Sequence, residues 1–156
     1  MAMELHVLSD RRLSAVGEWQ HAIDIEGYPL RLDGDTQPDA VDGFVPAEMN
    51  GQPTGFECFN DKAHETMKFL GNDQFDRRWK YALGFRWRGS SFEELQAAWM
   101  AAIAYAAATG GIIFDHEEGR VFTPQQGREQ VAKFVSESPR IKARLEDIKK
   151  RFSKKS

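Results

Sequence analysis

The chain reads as an α+β domain: a mainly antiparallel sheet covered by helices on one face, with two further helices at its C-terminal end. Three observations predict this. Residues 79–88 place a large apolar side chain at every odd position and a small or basic one at every even position, the period of a strand with one buried face. Phe92 to Thr109 contains eight alanines and runs into Gly110-Gly111, the pattern of a long core helix with a glycine terminator. Strand-like and helix-like segments alternate over 156 residues without a repeat or a linker. A domain of roughly 150 residues buries about 70% of its unfolded surface, so one real core is expected.

Glu4 to Leu8 suits a first strand, and Ser9 is expected to cap a helix with Leu13, Val16, Trp19 and Ile23 on its apolar side. Gly27 stops that helix, and Pro29 to Leu32 returns as a strand. The stretch from Asp33 to Gly43 is acidic and aperiodic, which reads as a surface loop. Phe44 to Met49 and Gly55 to Phe59 are expected to pair as a hairpin around Asn50-Gly51. Asn60 or Asp61 then caps a short helix with Ala63, Met67 and Leu70 inward and Gly71 closing it. The strand Trp79 to Arg88 follows, leaving Lys80, Arg86 and Arg88 on its second face around Ala82 and Gly84.

Ser91-Phe92-Glu93-Glu94 reads as a capping box for the alanine-rich helix. Gly111 to Asp115 resumes as a strand that pairs with Arg120 to Phe122 across a turn at His116 to Gly119. Thr123-Pro124-Gln125-Gln126 starts another helix, with Val131, Phe134 and Val135 on its apolar side. Ser138-Pro139 is expected to restart the chain as a last helix carrying Ile141, Leu145, Ile148 and Phe152 as an apolar stripe. The order suggests a ferredoxin-like or related open sandwich. Residues 1–137 are thus expected to form one α+β domain, with 138–156 a basic amphipathic helix and tail docked on it. Docking within one chain predicts a monomer; docking on a second copy, the alternative, predicts a homodimer.

Composition sets outer bounds on function. Hydrophobic residues at 41% and charged residues at 29%, with four Trp, three Tyr and eleven Phe, exclude disordered and collagen-like classes. The lone Cys58 rules out an internal disulfide and points to a reducing compartment. The opening Met1 to His6 has neither a basic start nor a long apolar stretch, so no secretory signal and a cytoplasmic location are expected. Leu95 to Phe114 lacks charge for twenty residues, yet it is alanine-rich, split by glycines and flanked by acids, so no membrane span is expected.

The net charge of −3 hides a separation of sign. Residues 138–156 hold eight basic residues against Glu146 and Asp147, a net of +6. Residues 33–76 hold ten acids against Lys62 and Lys68, a net of −8. An acidic body repels nucleic acid and attracts basic partners. Asp33, Asp35, Asp39, Asp42 and Glu48 are therefore the candidate partner-binding residues.

No motif for metal, nucleotide or nucleophilic catalysis is present. The acids at 33–39 do not make a calcium loop, because Pro38 and Phe44 fall where a turn glycine and the bidentate acid belong. The histidines stand at 6, 21, 64 and 116 without ligand spacing, so neither a metal nor a cofactor is expected. Asp115-His116-Glu117-Glu118 is the densest group of proton-transfer side chains and the alternative site, in which His116 shuttles protons and a carboxylate orients it. Arg86 and Arg88 are the candidates for a ligand bound on an open sheet face. That face lacks an RNA-binding consensus, so no specific nucleic acid is expected.

Trp87 to Pro124 carries a further signal in its helix ending at Thr109-Gly110-Gly111, then Ile112 to Asp115, the Glu118-Gly119 turn and Val121-Phe122-Thr123-Pro124. This pattern resembles small bacterial proteins, some of them similar to immunity proteins encoded beside secreted polymorphic toxins. The resemblance covers about a quarter of the chain and transfers no site residue. It implies a cytoplasmic protein that neutralises a cognate toxin by occluding its active site, and the acidic middle third suits a basic toxin domain as partner. The alternatives are a small enzyme using Asp115, His116 and Glu117, or a regulatory or phage-encoded interaction domain.

Overall fold

A computed structural model describes residues 2–153, without the side chains at 138–142, 145, 149, 152 and 153. The main element is a seven-stranded antiparallel sheet built from β1 (Ala2–Ser9), β2 (Leu30–Leu32), β3 (Asp42–Met49), β4 (Gln52–Lys62), β5 (Tyr81–Arg88), β6 (Ile112–Asp115) and β7 (Arg120–Phe122). Their order across the sheet is β2-β3-β4-β5-β1-β6-β7. β1 is therefore central, antiparallel to both β5 and β6. Those two neighbours run parallel to each other and are joined by α3 (Phe92–Thr109), the split βαβ unit of a ferredoxin-like core. β2 and β3 extend that core on one side and β7 on the other.

Strand alternation divides the sheet into an inner and an outer face. Leu5 and Val7 of β1, Val45 and Ala47 of β3, Phe56 and Cys58 of β4, and Leu83, Phe85 and Trp87 of β5 all enter the main core. α1 (Val16–Ile25) and α3 cover this inner face. Their contact centres on Trp19, whose Nε1 donates to the Ala101 carbonyl at 3.0 Å and whose ring meets Phe56, Phe85 and Tyr105 edge-on. The alanines at 97, 98, 101, 102, 104 and 106 are all buried, because a helix lying between a sheet and a second helix needs small side chains on several sides. That second helix is the first part of α4 (Pro124–Ser153), where Gly127 abuts Ile103 and Ile113.

Several elements depart from the sequence-based expectation, some for a local reason and some because a distant partner holds them. Ser9 ends β1 rather than capping α1, and its hydroxyl donates to the Arg11 carbonyl. α1 begins seven residues beyond it, where Glu18 reaches back to accept from the Ser14 backbone N–H and hydroxyl. Neither Asn60 nor Asp61 caps α2 (Ala63–Leu70), since both remain in β4. Asn60 instead donates to the Pro38 and Val41 carbonyls and pins the acidic loop.

Trp79 lies outside β5, where the Lys80 N–H bonds Asp10, and its ring joins a small second cluster of Leu8, Ala63, Met67 and Ala82. That cluster sits on the outer face, so α2 covers one half of it and leaves the other half open. The restart expected at Ser138-Pro139 does not occur, because α4 runs unbroken through it. Ile148 of the expected stripe is exposed, while the side chains of Ile141, Leu145 and Phe152 lie outside the described residues. Among the described residues, no helix is long and apolar enough to cross a membrane.

Candidate functional site

The outer face brings four polar side chains together at the boundary between its covered and open halves. Because Leu5 and Val7 point into the core, Glu4 and His6 must point outward from β1. His6 stands opposite Gly84 of β5 and Phe114 of β6. Gly84 presents no side chain, so His6 reaches over β5 to Asp61 of β4, two strands away, with Nε2 to Oδ2 at 2.7 Å. A Cβ at position 84 would lie 3.0 Å from that nitrogen and 3.1 Å from that oxygen. On the other side the β1–β6 ladder ends as the His116 N–H bonds the Glu4 carbonyl. The His116 imidazole then meets His6, Nε2 to Nδ1 at 2.8 Å.

A chain of hydrogen bonds, Asp61–His6–His116, results. Asp61 is acceptor-only as a carboxylate, so the His6 proton sits on Nε2 and its Nδ1 accepts from His116. His6 is only 4% exposed yet has both ring nitrogens satisfied, which a buried imidazole requires. Burial, then the neighbouring His6, holds His116 below the usual histidine range, against the opposing pull of Glu4 and Glu117. One ligating atom from each of Glu4, His6 and His116 lies within 4.8 Å of the others. Arg86 stands 3.7 Å from the Glu4 carboxylate and rests over the Phe59 ring. This arrangement can relay a proton between Asp61 and the His116 edge, or present two imidazoles and a carboxylate to a cation.

The predicted trio Asp115, His116 and Glu117 is not assembled. Consecutive strand residues point to opposite faces, so Asp115 is buried on the inner side while His116 faces outward. Asp115 accepts from the Glu117 N–H and shapes the turn, and burial pushes its carboxyl up. Glu117 and Glu118 are exposed. His116 does have a partner, but it is His6, 110 residues away. Arg88 pairs with Glu94 at the start of α3, so of the two candidate arginines Arg86 alone lies beside the cluster.

The predicted acids are dispersed along the far side of the sheet. Asp33, Asp35, Asp42 and Glu48 are exposed and Asp39 is half-buried. Asp33 and Glu48 line a groove of about 1560 Å³ that also takes in Phe44, Glu57, Arg86 and Met100. The groove opens where β4 parts from β5: their pairing ends at Glu57–Arg86, and the earlier residues of β4 pair with β3 alone. Phe44, 60% exposed, lies over Gly55 on its open side. No protein family, curated protein or solved structure matches this chain.

Proposed function

We propose that this chain is an immunity-type binding protein, which neutralises a basic partner domain by seating it in the groove between the β3–β4 hairpin and β5 and so covering the partner's active site. One observation carries the reading: an exposed aromatic, Phe44, stands in a groove whose lining has five acids, Asp33, Glu48 and Glu57 among them, against Arg31, Arg86 and Arg88. Aromatic anchors ringed by polar groups are where binding energy concentrates at protein interfaces. The surrounding segment adds sign, since residues 33–76 carry a net of −8 and complementary charge accelerates encounter with a basic surface. Blocking of this kind needs no cofactor and acts in the compartment where partner and blocker meet, the bacterial cytoplasm on this reading.

Co-purification of the tagged chain from its native host, followed by mass spectrometry, tests it. Recovery of one basic partner in equal amount, released as salt is raised past a few hundred millimolar, is the expected outcome. Phe44→Ala should weaken the complex by about 2 kcal/mol or more, the range of an interface anchor. A partner held equally well by Phe44→Ala and by the Asp33→Lys, Glu48→Lys double variant would place the interface elsewhere.

A further inference from the structure

We infer that Glu4, His6 and His116 form a binding site for one divalent transition-metal ion of the zinc class, with Asp61 orienting His6. The donor set is two imidazole nitrogens and one carboxylate oxygen, all within 4.8 Å of one another. Three protein ligands with the fourth position left to water is the composition of an open zinc site. The two ring nitrogens face each other at 2.8 Å. Two nitrogens bound to one tetrahedral zinc stand about 3.3 Å apart with both lone pairs turned on the metal, so a cation can enter once the rings part by about half an ångström and tilt towards it, the His116 Nε2 proton passing to its Nδ1. His116 begins a turn and can make that movement, whereas His6 is held within the paired centre of β1.

The surroundings are those of a ligand set rather than of a chance contact. Asp61 accepts from the far nitrogen of His6, the carboxylate–histidine–metal arrangement that fixes the tautomer and leaves Nδ1 free to bind. Gly84 leaves open the space which that contact needs. Magnesium and calcium demand six or more oxygen ligands, so nitrogen donors select against them. Arg86 opposes the site, because it engages Glu4 and places a positive charge beside the cation. The site lies next to the groove, through the Arg86–Glu4 contact, but on residues the docking proposal does not use.

Chelator-treated full-length protein titrated with zinc chloride by calorimetry, with magnesium chloride as control, tests the inference. One zinc per chain, no detectable magnesium binding and a rise in Tm with zinc are expected. His116→Ala and Glu4→Gln alter half-buried positions, and each should weaken zinc by at least about 100-fold while retaining the wild-type circular dichroism spectrum. Asp61→Asn should weaken it by about 10–100-fold, the usual effect of a group that orients a ligand. Arg86→Gln should tighten it. The exposed His21 and His64 are bystanders, so the His21→Ala, His64→Ala double variant should bind as the wild type does. Absence of zinc binding, equal binding by a folded Glu4→Gln variant, or loss of binding in that bystander variant would each overturn the assignment.

Discussion

Replacing Gly84 by alanine tests the outer-face cluster more directly than removing any of its polar groups. The new methyl would stand 3.0 Å from His6 Nε2 and 3.1 Å from Asp61 Oδ2, inside van der Waals contact of both. His6 has little room, being buried with its other nitrogen on His116, so Asp61 must swing away and the hydrogen bond is lost. A bond to a charged group contributes about 1.5–3 kcal/mol. Alanine in place of a strand glycine with ordinary backbone angles returns about 0.5–1 kcal/mol, so the variant should be less stable by about 1–2 kcal/mol. Equilibrium urea unfolding measures this as a lower midpoint at unchanged slope. The decisive arm is a double-mutant cycle: in an Asp61→Ala background the methyl has no bond to break, so Gly84→Ala should be neutral or slightly stabilising. An equal penalty in both backgrounds would mean that the methyl strains the sheet itself, and the account of Gly84 as a passage between β1 and β4 would fail.

Other consequences are simpler to state. Tyr105 accepts from the buried Leu13 N–H, so Tyr105→Phe should cost about 1–3 kcal/mol by leaving that donor unpaired, read from urea midpoints. Burial raises the Tyr105 and Tyr28 hydroxyls from 10 to about 12; a raised folded pKa gives stability that is intact below pH 10 and lost as pH climbs towards 12, and Tyr105→Phe should flatten that alkaline fall. Burial likewise raises Asp115, so its charge opposes folding above the unfolded value near 3.8; Asp115→Asn should gain more in Tm at pH 7 than at pH 4, and an equal gain at both would contradict the sign. Gly127→Ala would press a methyl to 2.9 Å from Ile103, and overpacking of this kind costs about 1–3 kcal/mol, measurable by thermal unfolding.

Local rules of the sequence carried much of the fold. Asn50 and Gly51 both adopt positive φ in the hairpin, as their pairing predicts. Ser91 accepts from the Glu94 N–H, and Thr123 and Gln126 exchange both bonds of a capping box. Part of what failed lay at segments whose structure is set by distant partners: Trp79 turned outward to join the cluster of Leu8 and Met67, and Asn60 stayed in β4 to hold the acidic loop. The cluster of Asp61, His6 and His116 escaped a search for ligand spacing because its members are 55 and 110 residues apart. Their proximity depends on strand order, which no local pattern states. Two signs were nevertheless present: a histidine on the outward phase of an apolar first strand, and Gly84 within an otherwise regular strand, where an isolated glycine marks a close approach.

The contrast between the two sheet faces explains how this chain can keep a polar cluster on β1, an interior strand of its sheet. The inner face holds Trp19, Phe56, Phe85, Trp99 and Tyr105 almost free of solvent, and each such side chain stabilises by about 1.5–3 kcal/mol on burial before entropy is counted. The outer face adds only a small cluster around Leu8 and Met67, so stability does not depend on its being apolar throughout. That leaves β1 free to alternate Leu5 and Val7 inward with Glu4 and His6 outward. Burying His6 on this face is tolerable because Asp61 and His116 satisfy both of its nitrogens, and Asp61 can do so only where β5 is reduced to Gly84. A leucine at position 6 would satisfy the pattern of a covered strand and lose every one of these contacts. The arrangement is therefore specified by four separated positions acting together, His6, Asp61, Gly84 and His116.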